Sequence, residues 1–276
     1  MISTRPSVRQ PRVAQPRVAQ QHIAKQKLIF ALDVASLAEV KEYVALLKDE
    51  VGLFKVGKQL FLHGGPQVVR LIQRKGGHIF LDLKFHDIPR TVANAGIEAA
   101  RLGVRMLNVH ASGGFEMMQQ TVTEINKVCK AERLQRPTLL AVTVLTSLNK
   151  DDLKRTGVAT GVEQQVARLA KLAQEAGMDG VVASPLEITR LRRECGERFL
   201  LVVPGVRSKG EAWDDQKRVL TPEEAIQAGA DYLVIGKPIR DAADPREAAR
   251  QLVREMADGL TAAERSASTP HRSALA

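Results

Sequence analysis

From residue 28 onward, short apolar runs and longer amphipathic stretches alternate eight times within about 230 residues. The apolar runs are 28–32, 53–56, 78–83, 104–109, 138–145, 180–183, 199–203 and 232–235. They are rich in Val, Ile, Leu and Phe and almost continuously apolar, the pattern of strands buried on both faces. A helix between successive strands makes neighbouring strands parallel. Eight such units in a chain of 276 residues favour one closed (β/α)8 barrel, an α/β fold, over an open doubly wound sheet. A barrel of this kind also fixes where chemistry can be built, at the C-terminal ends of the strands.

The intervening stretches carry helix punctuation. Ser36-Leu37-Ala38-Glu39 is a capping-box pattern, followed by an apolar stripe of Leu37, Val40, Val44 and Leu47. Pro66 opens a stretch that stops at Gly76-Gly77, and the stretch ending in Leu102 stops at Gly103. Val162, Val166, Leu169, Leu172 and Ala176 form another stripe before Gly177. Thr221-Pro222-Glu223-Glu224 supplies an N-cap, a Pro at N1 and an acid at N3. Asp244-Pro245 begins the last helix, with Ala248, Leu252 and Met256 expected to face inward.

Composition narrows the class. Apolar residues make up 44% and charged residues 26%, ordinary for a soluble globular chain. No apolar run approaches the roughly 20 residues of a membrane span. Cys129 and Cys195 are far apart and form no C-x-x-C pattern, which points to a reducing, cytoplasmic setting without a disulfide framework. The net charge is +10, but Arg5, Arg9, Arg12, Arg17, Lys25 and Lys27 supply +6 of it ahead of the first strand, where there is no acid. The body carries only a mild excess, which suits an anionic substrate and gives little reason to expect nucleic-acid binding.

Residues 11–15 and 16–20 repeat the sequence PRVAQ, and prolines recur at 6, 11 and 16. That spacing opposes a continuous helix, and the segment has no apolar core of the length a secretory signal needs. The expected organisation is a disordered basic extension over 1–26, a catalytic barrel over 27–260 and a flexible tail over 261–276.

Polar residues collect at the strand ends. Strand one runs into Asp33, strand two carries Lys55 and Lys58, and strand three carries Asp82 and Lys84 with Asp87 just beyond. Strand four ends in Asn108 and His110, strand five in Thr146-Ser147, strand seven in Gly205-Val206-Arg207 and strand eight in Gly236-Lys237. Asp82 and Lys84 stand two apart and so leave one strand face together. Charges there are costly unless paired, so a structural ion pair is the plain reading of Asp-x-Lys taken alone. A ring of alternating charges at one rim is instead what a polar ligand site requires. Loops after strands seven and eight often hold phosphate in barrels. Gly205 and Gly236 allow close backbone approach, and Arg207 and Lys237 add charge. The residues alone therefore point to a phosphorylated small molecule.

The motifs Ala31-Leu32-Asp33, Lys55-Val56-Gly57-Lys58, Leu81-Asp82-Leu83-Lys84-Phe85-His86-Asp87-Ile88-Pro89, Val142-Thr143-Val144-Leu145-Thr146-Ser147, Pro204-Gly205-Val206-Arg207, Asp215-Gln216 and Val234-Ile235-Gly236-Lys237-Pro238 occur in this order. Together the chain from about residue 28 to 256 resembles orotidine 5′-phosphate decarboxylase of the bacterial type. The resemblance implies conversion of orotidine 5′-phosphate to UMP and CO2 in pyrimidine biosynthesis, without metal or cofactor. The sequence shows neither a ligand cluster with metal spacing nor a dinucleotide fingerprint. By the same resemblance, Lys55, Asp82, Lys84 and Asp87 form the catalytic charge array, and Lys84 protonates C6. Asp33 and Lys55 hold ribose hydroxyls. Ile88 and Thr91 lie near the substrate, Thr91 reaching the ribose from a second subunit. Thr146 meets the pyrimidine, with Ser147 as the next candidate. Arg207, Gly236 and Lys237 hold the phosphate, and Gln216 sits in a closing lid over 205–220. Asp87 implies a homodimer with shared sites. His86 and His110 are read as structural.

One departure is visible: the resembled family usually has Arg where this chain has Lys237. A neighbouring alternative is a Mg2+-dependent sugar-phosphate decarboxylase or synthase of a sister barrel family, which shares the D-x-K-x-x-D element.

Overall fold

In a computed structural model, which describes residues 16–208 and 220–268, the eight apolar runs form eight parallel strands. They are β1 Leu28–Ala31, β2 Leu53–Gly57, β3 Ile79–Phe85, β4 Met106–His110, β5 Thr138–Val142, β6 Gly180–Val182, β7 Leu200–Pro204 and β8 Tyr232–Ile235. Each pairs with the next, and β8 closes on β1 with Ile29 opposite Val234, so the sheet is a closed barrel. The helices are α1 Pro16–Lys27, α2 Leu37–Leu47, α3 Lys58–Gly64, α4 Pro66–Arg74, α5 Pro89–Arg101, α6 Phe115–Glu132, α7 Lys150–Arg155, α8 Val162–Glu175, α9 Ile188–Cys195, α10 Pro222–Gln227, α11 Lys237–Arg240 and α12 Pro245–Ser268. The fold is the (β/α)8 barrel that the alternation of the sequence demands.

The expected punctuation operates. Ser36 caps α2 by accepting from the Glu39 N–H, and Thr221 and Glu224 form a full capping box at α10. The run 138–145 ends as a strand at Val142: the Thr143 N–H makes the last ladder bond, to the Val182 carbonyl, and the Thr143 hydroxyl donates to the same oxygen.

Strand alternation divides the core into two layers. Phe30, Phe54, Leu81, Leu107 and Leu201 face the helices, and Phe30 and Phe54 meet edge to face at 6.2 Å. Ile29, Ala31, Leu53, Phe80, Met106, Leu140, Val202 and Val234 fill the barrel interior. The next inward positions along the same strands are Lys55, Asp82, Asn108, Val142, Pro204 and, just past β8, Gly236. On β2, β3 and β4 the interior thus changes from apolar to charged or polar within one step of two residues, at the C-terminal rim.

Two expectations at the chain ends are corrected. Residues 16–27 are helical, not disordered: Pro16 stands at the start of α1, where no N–H is needed, and no proline follows it there. The helix buries Ala24 and packs on α12, with Gln20 donating to Glu264 at 2.6 Å. Correspondingly, α12 continues to Ser268 instead of ending in a flexible tail near 261, because α1 covers it. Residues 1–15, 209–219 and 269–276 lie outside the described residues, and with them the first PRVAQ copy, Asp215 and Gln216. Among the described residues no helix is long and apolar enough to cross a membrane.

Candidate active site

Asp82 is the centre of the rim. It is only 8% exposed, so its charge must be met by fixed partners. Lys84 Nζ lies 2.6 Å from Oδ1, Asn108 Nδ2 donates to the same oxygen at 2.7 Å, and Lys55 Nζ stands 3.4 Å from Oδ2. Lys55 in turn donates to Asp33 Oδ1 at 3.0 Å, where the carboxylate is exposed at the end of β1. The result is one chain of alternating sign, Asp33–Lys55–Asp82–Lys84, drawn from three strands. A Cβ on Gly57 would meet Lys55 Nζ at 3.4 Å and Asp33 Oδ1 at 3.6 Å, so glycine leaves this chain room to form.

Simple alternation does not explain how Lys84 reaches Asp82. Leu81 pairs with Leu107 and Phe85 with Val109, so three residues of β3 face the single residue Asn108 of β4. This bulge turns Lys84 to a positive φ of 51°, a left-handed conformation that costs a non-glycine residue roughly 1–3 kcal/mol. Asn108, 1% exposed, spans the gap in the ladder. Its Oδ1 accepts the Lys84 backbone N–H at 2.9 Å while its Nδ2 holds Asp82. One carboxamide therefore fixes both the backbone of Lys84 and the carboxylate beside it. Strand-end reading placed Asn108 at the rim but assigned it no role. Its signal was a carboxamide inside an otherwise apolar run.

Lys55, Asp82, Lys84 and Asn108 line one wall of a cavity of about 250 Å3. Phe80, Val142, Val182 and Val234 supply apolar lining, and Thr146 also lines the cavity. This combines a mostly apolar surface with a few convergent charges, as a small ring-shaped ligand requires. The larger groove beside Phe61, Arg70 and Phe85 carries the exposed Glu98–Arg101 pair and has no buried carboxylate in its lining.

Asp87, Ile88 and Thr91 are exposed at the start of α5, outside the wall of the cavity. Asp87 Oδ1 accepts the Ile88 N–H at 2.6 Å. Within one chain, then, three members of the expected four-residue array come together and Asp87 does not. Arg207 is half-buried after β7 and donates to the Val206 carbonyl, and Gly205 has a φ of 83°, where glycine is unstrained. Gly236 follows β8, close against Ala31 and Asp33, and exposed Lys237 begins α11. Gln216 lies outside the described residues. His110, at the end of β4, is half-buried with its ring 5.3 Å from that of His86. Burial, His86, Lys58 and Lys84 push its pKa below the usual histidine value.

A family model described as the orotidine 5′-phosphate decarboxylase / HUMPS family matches residues 26–252. The chain belongs to that family. The orotidine 5′-phosphate decarboxylases of Geobacter sulfurreducens and Geotalea daltonii are 55% and 54% identical over 233 residues, which is 84% of this chain and 97% of each relative. A crystal structure of orotidine 5′-phosphate decarboxylase from Lactobacillus acidophilus superposes with a TM-score of 0.74 at 35% identity, covering 83% of this chain and 98% of that one. The family match begins at residue 26, so nearly all of α1 precedes it.

Proposed function

We propose that this protein decarboxylates orotidine 5′-phosphate to UMP and CO2 in pyrimidine biosynthesis, with Lys84 as the proton donor. The observation that carries the chemistry is the Lys55–Asp82–Lys84 array at the wall of a small, largely apolar cavity. The substrate is supported by relatives more than half identical to this chain and described as orotidine 5′-phosphate decarboxylases.

In the proposed reaction the C6–carboxylate bond breaks and its electron pair stays on C6. The Lys84 ammonium, a compact cation with a transferable proton, faces that carbon and delivers the proton as the C6–H bond forms. CO2 leaves, and neutral Lys84 regains a proton from solvent. Asp82 stands beside the departing carboxylate. Because Asp82, Asn108 and Lys55 hold Lys84 in place beforehand, little reorganisation accompanies the charge change. Asp33 and Lys55 take the ribose hydroxyls, Thr146 the pyrimidine, and Arg207, Gly236 and Lys237 the phosphate. Gln216 is assigned to bridge the phosphate and the base, so that binding energy from the phosphate serves the reacting end. The catalytic unit is the barrel over about 27–260, working in the cytoplasm.

Asp87, Ile88 and Thr91 are proposed to act across a homodimer, consistent with their exposed position outside this chain's own cavity. Complementation tests this. Lys84→Ala and Asp87→Ala proteins, each inactive, should together regain about a quarter of wild-type activity, because half the mixed dimers' sites are intact. No recovery with mixed dimers present would place Asp87 in its own site. Assay with orotidine 5′-phosphate and with hexulose and gulonate phosphates, each in EDTA and in Mg2+, tests the substrate. UMP formation in EDTA supports the proposal; Mg2+-dependent turnover of a sugar phosphate alone would replace it.

A further inference from the structure

The loop that presents Asp33 is not held by β1 alone. Arg240, at the end of α11, donates from Nη1 to the Asp33 carbonyl oxygen at 3.0 Å. Its other two nitrogens engage Asp241 in a fork, Nε to Oδ1 at 2.6 Å and Nη2 to Oδ2 at 3.0 Å. The pair holds the Asp241 carboxyl below its usual pKa, with Lys237 contributing. The turn itself is pinned to α2, where the Tyr43 hydroxyl donates to the Arg240 carbonyl at 3.0 Å. Gly236 lies so close to β1 that a Cβ there would meet Ala31 Cβ at 3.2 Å and Asp33 Oδ2 at 3.8 Å.

We infer that Arg240 is a positioning residue: it ties the turn bearing Gly236 and Lys237 to the loop bearing Asp33, and so sets the spacing between the phosphate and ribose subsites. This rests on the substrate contacts proposed above. Each of the three guanidinium nitrogens of Arg240 already donates one N–H, two to Asp241 and one to the Asp33 carbonyl, so its geometry is committed to the turn and the loop. That leaves exposed Lys237 free to meet the phosphate. A guanidinium suits the task because its planar fork reaches two partners in fixed geometry; a lysine ammonium has no such fork. Rigid spacing matters because the substrate engages both subsites at once, and a preformed spacing spares the cost of ordering them on binding.

The test is a double-mutant cycle on the full chain, measuring kcat and KM for orotidine 5′-phosphate and the melting temperature of each variant. Arg240→Ala is expected to raise KM about five- to tenfold, the loss of roughly one charge-assisted hydrogen bond at an exposed site, with kcat within about twofold. Arg240→Lys should recover only part of this. In an Asp33→Ala background, Arg240→Ala should change KM by less than about twofold, because Arg240 acts through the Asp33 loop. An unchanged KM in Arg240→Ala overturns the inference, even if the protein melts lower. An equal effect in both backgrounds also overturns it, by showing that Arg240 acts directly. If Asp33→Ala alone leaves KM unaltered, the fault lies in the assignment of Asp33 to the ribose, a separate failure from either of these.

Discussion

Replacing Asn108 with Leu isolates the device that builds the array. Leucine approximates the volume and keeps water out, but offers neither the donor to Asp82 nor the acceptor for the Lys84 N–H. The bond to a buried carboxylate is worth about 1.5–3 kcal/mol and the bond to a peptide N–H about 1 kcal/mol. Lys84 also loses the partner that offsets its left-handed backbone, so its ammonium is expected to drift from Asp82. If the carboxylate bond alone is lost from the transition state, kcat falls about 10- to 150-fold, at tenfold per 1.36 kcal/mol. The summed loss of about 2.5–4 kcal/mol should lower the melting temperature by roughly 5–15 °C. Steady-state decarboxylation well below the melting temperature gives the first number and calorimetry the second. The loss should fall on kcat more than KM, because Asn108 holds the reacting end. A folded Asn108→Leu protein with kcat within threefold of wild type would refute the claim that this carboxamide sets Lys84.

Three further outcomes are expected. Lys237→Arg should keep activity or lower KM for the phosphorylated substrate, since Arg can grip phosphate with two parallel bonds; a large rise in KM would remove Lys237 from the phosphate site. Gly52→Ala should destabilise the protein by about 1–3 kcal/mol, because the new Cβ would collide with the backbone carbonyl of Gln26, and a melting curve matching wild type would show that the end of α1 is not tightly docked. Burial, aided by Arg105 at His78 and by His86 at His110, lowers the pKa of both His78 and His110. Both therefore contribute stability fully above the ordinary histidine pKa and lose it as pH falls from about 6.5 towards their folded values. The melting temperature should drop between pH 7.5 and 5.5, less steeply in His78→Gln; identical slopes would exclude His78 as a cause.

The barrel was legible in the sequence because a buried parallel strand has a simple signature, a short apolar run between helical stripes. The rim was legible for a related reason: charges at Asp33, Lys55, Asp82 and Lys84 interrupt those runs at one end. What the linear pattern hid depends on contacts across strands. Asp82 and Lys84 look like a regular i, i+2 pair, yet they meet through a bulge visible only when β3 is laid against β4. Asn108 was readable as a polar strand residue, but its double role depends on the three residues opposite it. The helix α1 was missed because the proline spacing was weighed as a whole. Pro16 starts the helix, and the surface that stabilises it belongs to α12, some 230 residues away. Likewise nothing in the strand-end pattern singles out Arg240, whose contact with the Asp33 carbonyl exists only in the folded chain.

The central claim is that this chain makes UMP using the Lys84 ammonium. The most direct measurement is UMP formation from orotidine 5′-phosphate in EDTA by the wild-type protein and by Lys84→Ala, with circular dichroism confirming that both are folded. The account predicts turnover by the wild type and none detectable by the variant. A folded wild type that forms no UMP, or a Lys84→Ala protein that turns over at a comparable rate, would contradict it.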